Sequence, residues 1–466
     1  MKIKGFVNDL VIFCFILTIF LPLTMSQSNF NGDFANTNFF SSNSIDAIIP
    51  DDYSTIQEAI DNANPGEVIF VKSGLYKENI LVNIENLTLI GENKTNTIID
   101  GDKLSIKHAI EIISPNVTIR GFTIKNGWNE DEHLWDLSGI RINASNTKII
   151  GNIITDNRIG LCTMSKTYNH TIKDNEFIND GLILGNYVYN HHLSIFDFRH
   201  IVENNTVNGK PLYYAYDKND FTVPETVGLA YLVNCTNATI RNLNLNDTDF
   251  FINLAGCNKC NVINNTADNT DGELILFLSE NCTIENNTVS NSLHGICLDY
   301  YSKNNIVRFN EVYDNWIGIS SITGSENNKI YSNKAYKNRI GIEITTYYLP
   351  MKSHDHDLYE NELYKNDNGI VISKNSGDIS VYNNSIYNNK FGISIQESED
   401  NTISENIFSK NIFSAIFFGC SENNWNHNYW NRPRFLPKPI LGYKNIGKIP
   451  VPWINIDQDP SNEKQD

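Results

Sequence analysis

The stretch "SHDHD", residues 353–357, is a dense group of potential metal ligands. Imidazole nitrogens and carboxylate oxygens both coordinate divalent metals. In an extended segment alternate residues lie on one face, so His354 and His356 would point the same way, with an Asp nearby. The spacing therefore predicts a candidate metal site made by His354, His356 and Asp357. A polar turn that binds no metal is the alternative that these residues leave open.

A group of aromatic and acidic residues occupies "NGWNEDEHLWDLSG", residues 126–139. The flat ring of an exposed Trp can cover one face of a sugar, while neighbouring acids accept hydrogen bonds from its hydroxyl groups. Clustered carboxylate oxygens are also the ligands that Ca²⁺ prefers. The loop predicts glycan binding, with Ca²⁺ or another divalent metal and a simple solvated loop as alternatives. The candidate ligand-binding residues are Trp128, Glu130, Asp131, Trp135 and Asp136.

Asp271 and His294 are candidates for catalysis, although the sequence contains no complete catalytic set. "NTDG", residues 269–272, resembles the first motif of polygalacturonases, which cleave sugar polymers with placed carboxyl groups. Where that family next has a pair of aspartates, this sequence has Ser292, Leu293 and His294. Alginate C5-epimerases carry Asp-Pro-His followed by an acid, and only Pro350 matches that pattern here. We therefore assign no catalytic residue beyond the two candidates.

The composition favours strands and argues against nucleic-acid binding. The chain has 466 residues and a net charge of −18. Residues that favour strands, such as Ile and Tyr, are common, whereas strong helix formers are sparse. A nucleic-acid-binding protein needs a concentrated basic surface to neutralise phosphates. No such surface is visible before the C-terminal tail, so we expect no nucleic-acid partner.

Residues 1–26 have the pattern of a signal peptide. Lys2 and Lys4 precede an apolar run from Leu10 to Leu23, which at 14 residues is short for a membrane span. Small residues near Ser26 provide a cleavage site. We expect export to the cell surface or the medium, with an uncleaved signal anchor as the alternative. No second apolar run follows, so we expect no other transmembrane segment.

A repeat of about 23 residues is the main architectural signal. Ile342-Glu343-Ile344 alternates apolar and polar residues as a strand does, and each unit is too short for a pair of helices. Asn and Gly are expected at turn positions that need left-handed backbone. Stacked coils would place Asn amides in hydrogen-bonded ladders. The recurring residues are Asn265, Asn287, Asn310, Asn333, Asn361, Asn384 and Asn406, and Gly160, Gly295, Gly318, Gly341, Gly369 and Gly392.

This pattern predicts an all-β fold, a right-handed single-stranded parallel β-helix of about a dozen coils, from about residue 66 to residue 425. An amphipathic helix from Thr55 to Ala63, with Thr55 and Glu58 as a capping box, would close its N-terminal end. The expected organisation is a signal at 1–26, a linker at 27–45, the β-helix with its N-terminal cap at 46–427, and a Pro-rich C-terminal cap at 428–466.

The cysteines fit the repeat better than a zinc site. Cys235 and Cys257 are 22 residues apart, as are Cys260 and Cys282, so each pair would occupy equivalent positions on neighbouring coils. We expect them to be stacked small apolar side chains, with disulfides and metal binding as alternatives.

The repeat pattern resembles NosD-like proteins, within the CASH group of carbohydrate-binding proteins and sugar hydrolases. "YSTIQEAIDNANPGEVIFVKSGLYKENI", residues 53–80, resembles the family's N-terminal cap, and "NYWN", residues 428–431, resembles its last coil. "NNTVNGKPLYY" and "LVNCTNATIRN" resemble recurring segments of exported, often archaeal members. Residues 452–457, Pro-Trp-Ile-Asn-Ile-Asp, match most of a tail motif, although Gln458 and Asp459 replace its Trp-His. The resemblance implies a β-helix and, from the name NosD, a periplasmic role in copper-site assembly.

Three hypotheses for the function follow. The first is an exported, non-catalytic protein that binds a polysaccharide or cell-surface glycan, or that serves a structural role at the surface. The second is a polysaccharide lyase, hydrolase or epimerase with an unfamiliar site. The third is copper assembly, which ranks last because the His are scattered, Met are few and the Cys are expected inside. No cofactor is expected beyond Ca²⁺ or another divalent metal.

Overall fold

The computed structural model of the protein describes residues 44–101, 107–127, 137–186, 193–249, 251–270, 272, 274–347, 351–420, 422–434, 436–446 and 449–462. The expected signal at 1–26 and most of the expected linker therefore lie outside the described residues. Among the described residues, no helix has the length and apolar character that a membrane crossing requires. Short strands separated by tight turns make up most of the chain.

The first part of the chain stacks its strands in three parallel sheets. One sheet contains Ala47–Ile49, Val68–Val71, Thr88–Gly91, Thr118–Arg120, Lys148–Ile150, Thr171–Lys173 and Ile201–Glu203. A second contains Gly74–Tyr76, Thr97–Asp100, Thr123–Lys125, Ile153–Thr155, Glu176–Ile178 and Thr206–Val207. A third contains Ile80–Val82, Ile110–Ile112, Ile140–Ile142, Leu161–Met164 and Leu182–Asn186.

The rest of the chain continues the same three-sheet pattern. One sheet contains Thr239–Arg241, Asn261–Ile263, Thr283–Glu285, Ile306–Arg308, Lys329–Tyr331, Asp357–Tyr359, Ser380–Tyr382, Thr402–Ser404 and Asn424–Asn426. A second contains Asn244–Asn246, Thr266–Asp268, Thr288–Ser290, Glu311–Tyr313, Lys334–Tyr336, Glu362–Tyr364, Ser385–Tyr387, Ile407–Ser409 and Tyr429–Trp430. A short pair, Ser353–His354 and Ser376–Gly377, lies apart from these sheets.

The third sheet of this part, called the long-strand sheet below, has the longest strands of the coils. It contains Lys210–Tyr216, Leu229–Val233, Ile252–Ala255, Leu274–Phe277, His294–Asp299, Ile317–Ile322, Ile340–Thr345, Asn368–Ser373, Phe391–Gln396 and Phe413–Phe418. An antiparallel hairpin, Lys438–Ile446 with Ile449–Asp457, follows at the C-terminal end.

The parallel β-helix predicted from the repeat is confirmed. The solenoid has about 16 turns, more than the dozen expected from the regular Asn and Gly positions. The expected Ile stack is present, because consecutive coils pair Ile296 with Ile319 and Ile319 with Ile342, and all three side chains are buried. Hydrophobic burial inside the coil and backbone hydrogen bonds between coils therefore stabilise the same stack.

The repeated Gly is required for a reason other than the one expected. A Cβ atom built on Gly318 would lie 2.6 Å from the carbonyl oxygen of Gly341 on the next coil, so close contact between backbones selects Gly. The left-handed backbone instead lies one residue before the repeated Asn, as at Ser332 with φ of 54° and Asn286 with φ of 56°. The prediction of left-handed backbone is therefore wrong by one residue at the repeated Asn, and at the repeated Gly the close backbone contact is the constraint instead.

The predicted Asn ladder runs along the inside of the solenoid. Asn333 is typical: its Nδ2 donates to the Oδ1 of Asn361 at 3.0 Å and to the carbonyl oxygen of Val307 at 2.9 Å. Its Oδ1 accepts from the Nδ2 of Asn310 at 3.0 Å. Each buried amide therefore satisfies the neighbours above and below it, which offsets the cost of burying it. The ladder contains Asn265, Asn287, Asn310, Asn333, Asn361, Asn384, Asn406 and Asn428.

Both ends of the solenoid are closed. The predicted capping helix is confirmed as Ile56–Asn62, with Thr55 as its N-cap: the Thr55 Oγ1 accepts from the backbone N–H of Glu58 at 3.1 Å. The Glu58 carboxylate accepts from the backbone N–H of Ser54, one residue before the position that a capping box uses. At the other end, Asp457 Oδ2 accepts from Asn428 Nδ2 at 3.1 Å and from Trp430 Nε1 at 2.9 Å. A carboxylate only accepts, so Asp457 ends the Asn ladder.

The seven described cysteines are free thiols buried in the protein. Cys235 and Cys257 lie at equivalent turn positions, since the residues that follow them, Thr236 and Asn258, form a bridge between neighbouring coils. Ser279 continues this column, and its Oγ accepts from the backbone N–H of Cys257 at 2.9 Å. The expectation that the cysteines stack inside the solenoid as small side chains is confirmed.

We predict that Asn333→Ala destabilises the protein by about 2–4 kcal/mol, because it leaves several buried donors and acceptors without partners. The midpoint of urea unfolding measures this. Asn244 provides the matched control, since it is an exposed residue of a regular strand. An Asn333→Ala midpoint equal to that of Asn244→Ala would contradict the stabilising role of the ladder.

Candidate functional site

Most residues of two candidate sites lie outside the described residues. These are the ligand-binding candidates Trp128, Glu130, Asp131, Trp135 and Asp136, and the catalytic candidate Asp271. Glycan or Ca²⁺ binding by the first group and catalysis by Asp271 stay predictions.

His354 and His356, the two histidines of the candidate metal site, lie in different environments. His356 is fully buried: its Nδ1 accepts from the backbone N–H of Asn328 at 3.1 Å, and its Nε2 lies 3.0 Å from Ser353 Oγ. His354 is partly exposed and contacts Asp355 at 2.7 Å. The two rings thus do not share a face in the way that the alternating pattern predicts, because Asp355 has a left-handed backbone with φ of 58°.

The contacts of His356 show that it replaces an amide in a column of inward Asn. On the preceding coils Asn305 Nδ2 donates to Asn328 Oδ1 at 3.1 Å, and the backbone N–H of Asn328 then donates to His356. The imidazole Nδ1 therefore accepts a backbone N–H of the preceding coil, as the Asn328 Oδ1 does one coil earlier. Burial lowers the pKa of His356 to about 3, so the ring is neutral and can accept. Metal binding by His354, His356 and Asp357 stays a prediction, and the contacts explain His356 without a metal.

His170 and His200 occupy the same kind of position in the first part of the solenoid. His170 Nδ1 accepts from the backbone N–H of Thr147 at 3.4 Å, and the two rings lie 4.6 Å apart. His200 Nε2 lies 3.1 Å from the carbonyl oxygen of Asp197, which places a proton on that nitrogen. Burial lowers the pKa of His170 to about 3 and that of His200 to about 4.

Two buried carboxyl groups, Asp180 and Asp249, lie where the two parts of the solenoid meet. Asp180 accepts from Asn157 Nδ2 at 2.7 Å, and Asp249 Oδ2 accepts from the backbone N–H groups of Gly160 and Gly181, each at 2.7 Å. Burial, and then the charge of Asp249, raise the pKa of Asp180 well above its usual range. No pattern in the sequence signals this pair, because its partners come from coils far apart in sequence.

The candidate catalytic residue His294 lies on the outer side of the long-strand sheet. Its Nδ1 lies 3.1 Å from Ser320 Oγ, and Ser320 pairs in register with Glu343 on the next strand. Burial lowers the pKa of His294 to about 4. The exposed fractions are 8% for His294 and 3% for Glu343, so both side chains are largely buried.

Tyrosines form two ladders on the outside of the solenoid, but their faces are covered. Tyr336 and Tyr364 stack with centroids 4.9 Å apart and planes within 9°, and Tyr331 and Tyr359 stack at 4.6 Å. Rings stacked in this way present their edges to solvent. A sugar that needs the flat face of a ring therefore cannot stack on the inner rings of these ladders.

An open cavity of about 400 Å³ lies beside the insertion between Asn175 and Asn205, and we call it the aromatic pocket. It is lined by Tyr168, Asn169, Phe196 and Arg199. The exposed fractions are 57% for Phe196 and 37% for Tyr168, so both rings offer a surface to a ligand. The pocket combines two aromatic rings, a guanidinium group and an amide, a set suited to an anionic sugar.

The aromatic pocket is built by an insertion in the repeat between Asn175 and Asn205. The insertion contains the 3₁₀ helix Ile195–Phe198, which is held by Asp197: its Oδ2 accepts from the backbone N–H of Ser194 at 2.7 Å. Tyr214 Oη donates to the carbonyl oxygen of Phe198 at 2.8 Å, and the guanidinium of Arg199 lies 4.3 Å from the ring of Tyr216. These contacts fix Phe196 and Arg199 over the coil that carries Tyr168. In the sequence, the feature that points to this pocket is the length of the insertion, and no single residue indicates it.

Comparison with protein families decides the chain's affiliation. The model of the family described as "Periplasmic copper-binding protein (NosD)" matches residues 184–349 and 348–442, which together make up more than half of the chain. The chain belongs to the NosD family. Among curated proteins, no sequence matches this NosD-family chain.

Several solved structures are similar to this NosD-family protein. The A-module of the mannuronan C-5 epimerase AlgE4 from Azotobacter vinelandii is 13% identical, with 80% of this chain and 89% of that chain covered and a TM-score of 0.39. An alginate lyase from Paenibacillus is 14% identical, with coverage of 55% and 91% and a TM-score of 0.32. Similarities at this level of sequence identity and TM-score do not support any inference about activity.

Copper does not fit the described residues of this NosD-family protein. Copper(I) takes soft thiolate or thioether ligands and copper(II) takes imidazoles. Across the described ranges, no group of three or more His, Cys, Asp or Glu could hold a metal ion. The seven described thiols are all buried inside the protein, while His170, His200 and His356 already serve as internal acceptors. We therefore assign no copper ligand among these residues.

We predict that the free energy of unfolding decreases as the pH is lowered, because His170 and His200 are buried as neutral rings. Above about pH 6.5 both are neutral in the folded and the unfolded chain. As the pH falls below that value the unfolded chain binds protons first, so each His costs about 1 kcal/mol of stability between pH 6.5 and 5.5. Urea unfolding at stepped pH measures the slope.

The double variant His170→Asn/His200→Asn retains an acceptor at each position and should roughly halve this slope, because His294 and His356, whose pKa values burial also lowers, still contribute. His427→Asn is the control, because His427 is exposed and its loss leaves the buried rings in place. A double variant with an unchanged slope would show that these two rings are not the source of the pH dependence.

Proposed function

We propose that this NosD-family protein is an exported, non-catalytic β-helix protein that binds an anionic glycan in the aromatic pocket. The observation that carries the proposal is the placement of Arg199 beside the exposed rings of Phe196 and Tyr168. A ring stacks on the apolar face of a sugar, and a guanidinium pairs with a carboxylate in two parallel hydrogen bonds. A polymer of uronic acids supplies both groups in each unit.

The location of the pocket supports the proposal. Stacked coils form a scaffold, and binding residues usually lie on loops that depart from it. The pocket is formed by such an insertion, and contacts at both ends of the 3₁₀ helix hold it in place. The family is described as periplasmic, which agrees with the export that residues 1–26 predict.

Titration with uronic-acid oligomers and with neutral oligomers of equal length tests the proposal. We predict that Phe196→Ala lowers affinity for the uronate oligomer about ten-fold, because the buried contact of one ring is worth about 1.5 kcal/mol or more. Arg199→Gln should remove the preference for uronate over the neutral oligomer. Calorimetry measures both constants.

Phe309→Ala is the matched control, since Phe309 is 51% exposed on another part of the surface. Absence of binding by folded protein, or equal losses for Phe196→Ala and Phe309→Ala, would contradict a site in the aromatic pocket. The same titration with Trp128→Ala and Trp135→Ala tests whether the acidic loop contributes to the site.

An enzymatic function remains the second candidate, because His294 contacts Ser320 beside Glu343. Incubation with uronic-acid polymers, followed by assays for unsaturated and reducing ends, separates the two functions. We expect no new ends. New ends that disappear in His294→Gln would replace the binding proposal with catalysis on the long-strand sheet.

A further inference from the structure

The C-terminal hairpin presents an apolar face to solvent. In this hairpin, Lys438–Ile446 pairs with Ile449–Asp457, so Leu441 lies opposite Ile454 and Pro439 lies opposite Ile456. These directly opposite residues point to the same side of the hairpin. Leu441 is 64% exposed, Ile454 52% and Ile456 48%. On a protein surface, grouped exposed aliphatic side chains of this kind mark an interaction surface.

The opposite face of the hairpin shows why this side is exposed. Ile440, Asn455 and Asp457 point the other way and are buried against the last coil. The pairing between the hairpin and the last coil ends at Phe418 with Tyr443. Beyond that point Ile446 is 59% exposed and Ile449 is 67% exposed. The hairpin therefore caps the solenoid at its base and leaves an apolar tip beyond the last coil.

The charge around the hairpin differs in sign from that of the whole chain. Residues 423–456 contain five Lys and Arg and no Asp or Glu, whereas the whole chain has a net charge of −18. Arg432 is exposed, and Lys444 Nζ lies 3.2 Å from the ring centroid of Trp453, which is 41% exposed. An apolar surface with Trp and cations at its border matches a lipid bilayer with anionic headgroups.

The free edge of the hairpin argues against strand addition as its use. Ile449–Asp457 forms that edge, and it contains Pro450 and Pro452. Proline has no N–H to donate, so this edge resists pairing with a strand from another chain. A second copy docking face to face through the hairpins would bring like charges together, which disfavours self-association.

We propose that the C-terminal hairpin docks on the surface of an anionic lipid bilayer. Ile446 and Ile449 at the tip enter the boundary between headgroups and acyl chains, while Lys444 and Trp453, which point to the same face of the hairpin, remain among the headgroups. This would hold the last coil at the membrane. The surface is separate from the aromatic pocket, so membrane docking and glycan binding can fail independently.

Flotation of the full chain with vesicles tests the proposal. The probes are vesicles of phosphatidylcholine alone and of phosphatidylcholine mixed with phosphatidylglycerol. We expect binding to the mixed vesicles that weakens as NaCl is raised, because salt screens the cations from the headgroups. Ile446→Ser/Ile449→Ser should lower the partition coefficient by on the order of ten-fold, since two aliphatic side chains no longer enter the bilayer.

Leu75→Ser/Ile201→Ser is the matched control, because Leu75 and Ile201 are each 54% exposed and lie in the first part of the solenoid. Unfolding midpoints establish that both double variants fold, and all variants share the same N-terminal apolar run. Equal binding by the two double variants would overturn the proposal, as would equal binding to both kinds of vesicle. A lipid-free dimer in sedimentation equilibrium that is lost in Ile446→Ser/Ile449→Ser would identify a second copy as the occupant instead.

Discussion

The spacing of about 4.8 Å between stacked parallel strands constrains every residue that points into this solenoid. At that spacing a side chain meets its equivalents on the coils above and below, so an inward polar group must find its partner along the axis. The Asn amide fits this requirement because it both donates and accepts, and Asn310, Asn333 and Asn361 pass one hydrogen bond from coil to coil. The close approach of backbones at Gly318 and Gly341 follows from the same spacing.

The columns tolerate different residues where their chemistry serves the same purpose. His356 accepts a backbone N–H where its neighbours Asn305 and Asn328 use an amide oxygen. Asp457, which only accepts, suits the last position, because the described part of the chain has no further coil to receive a hydrogen bond. His356, which the sequence offers as a metal ligand, thus has a structural role, and the cost of burying it is offset by its partners in the stack.

The surfaces that remain for binding are those where the repeat is interrupted. The insertion between Asn175 and Asn205 places Phe196 and Arg199 on a short helix outside the coil. The C-terminal hairpin leaves the three-sheet pattern and covers the last coil with one face, so its other face remains in solvent. By contrast, the regular Tyr ladders follow the coil spacing so closely that Tyr336 and Tyr364 cover each other's rings. Regularity gives this protein its stability, and departures from regularity give it accessible chemistry.

The repeat pattern alone predicts the parallel β-helix, the Ile stack, the buried cysteines and the capping helix, because equivalent side chains of a solenoid recur at one period and then contact each other on neighbouring coils. It also predicts the ladder of Asn333 and its equivalents. The inward position of His356 and the partial exposure of His354 do not follow from the pattern, since the left-handed backbone at Asp355 breaks the alternation on which that prediction depended. The aromatic pocket and the Asp180–Asp249 pair were likewise decided in three dimensions, because insertions follow no period and bring together coils that are distant in sequence.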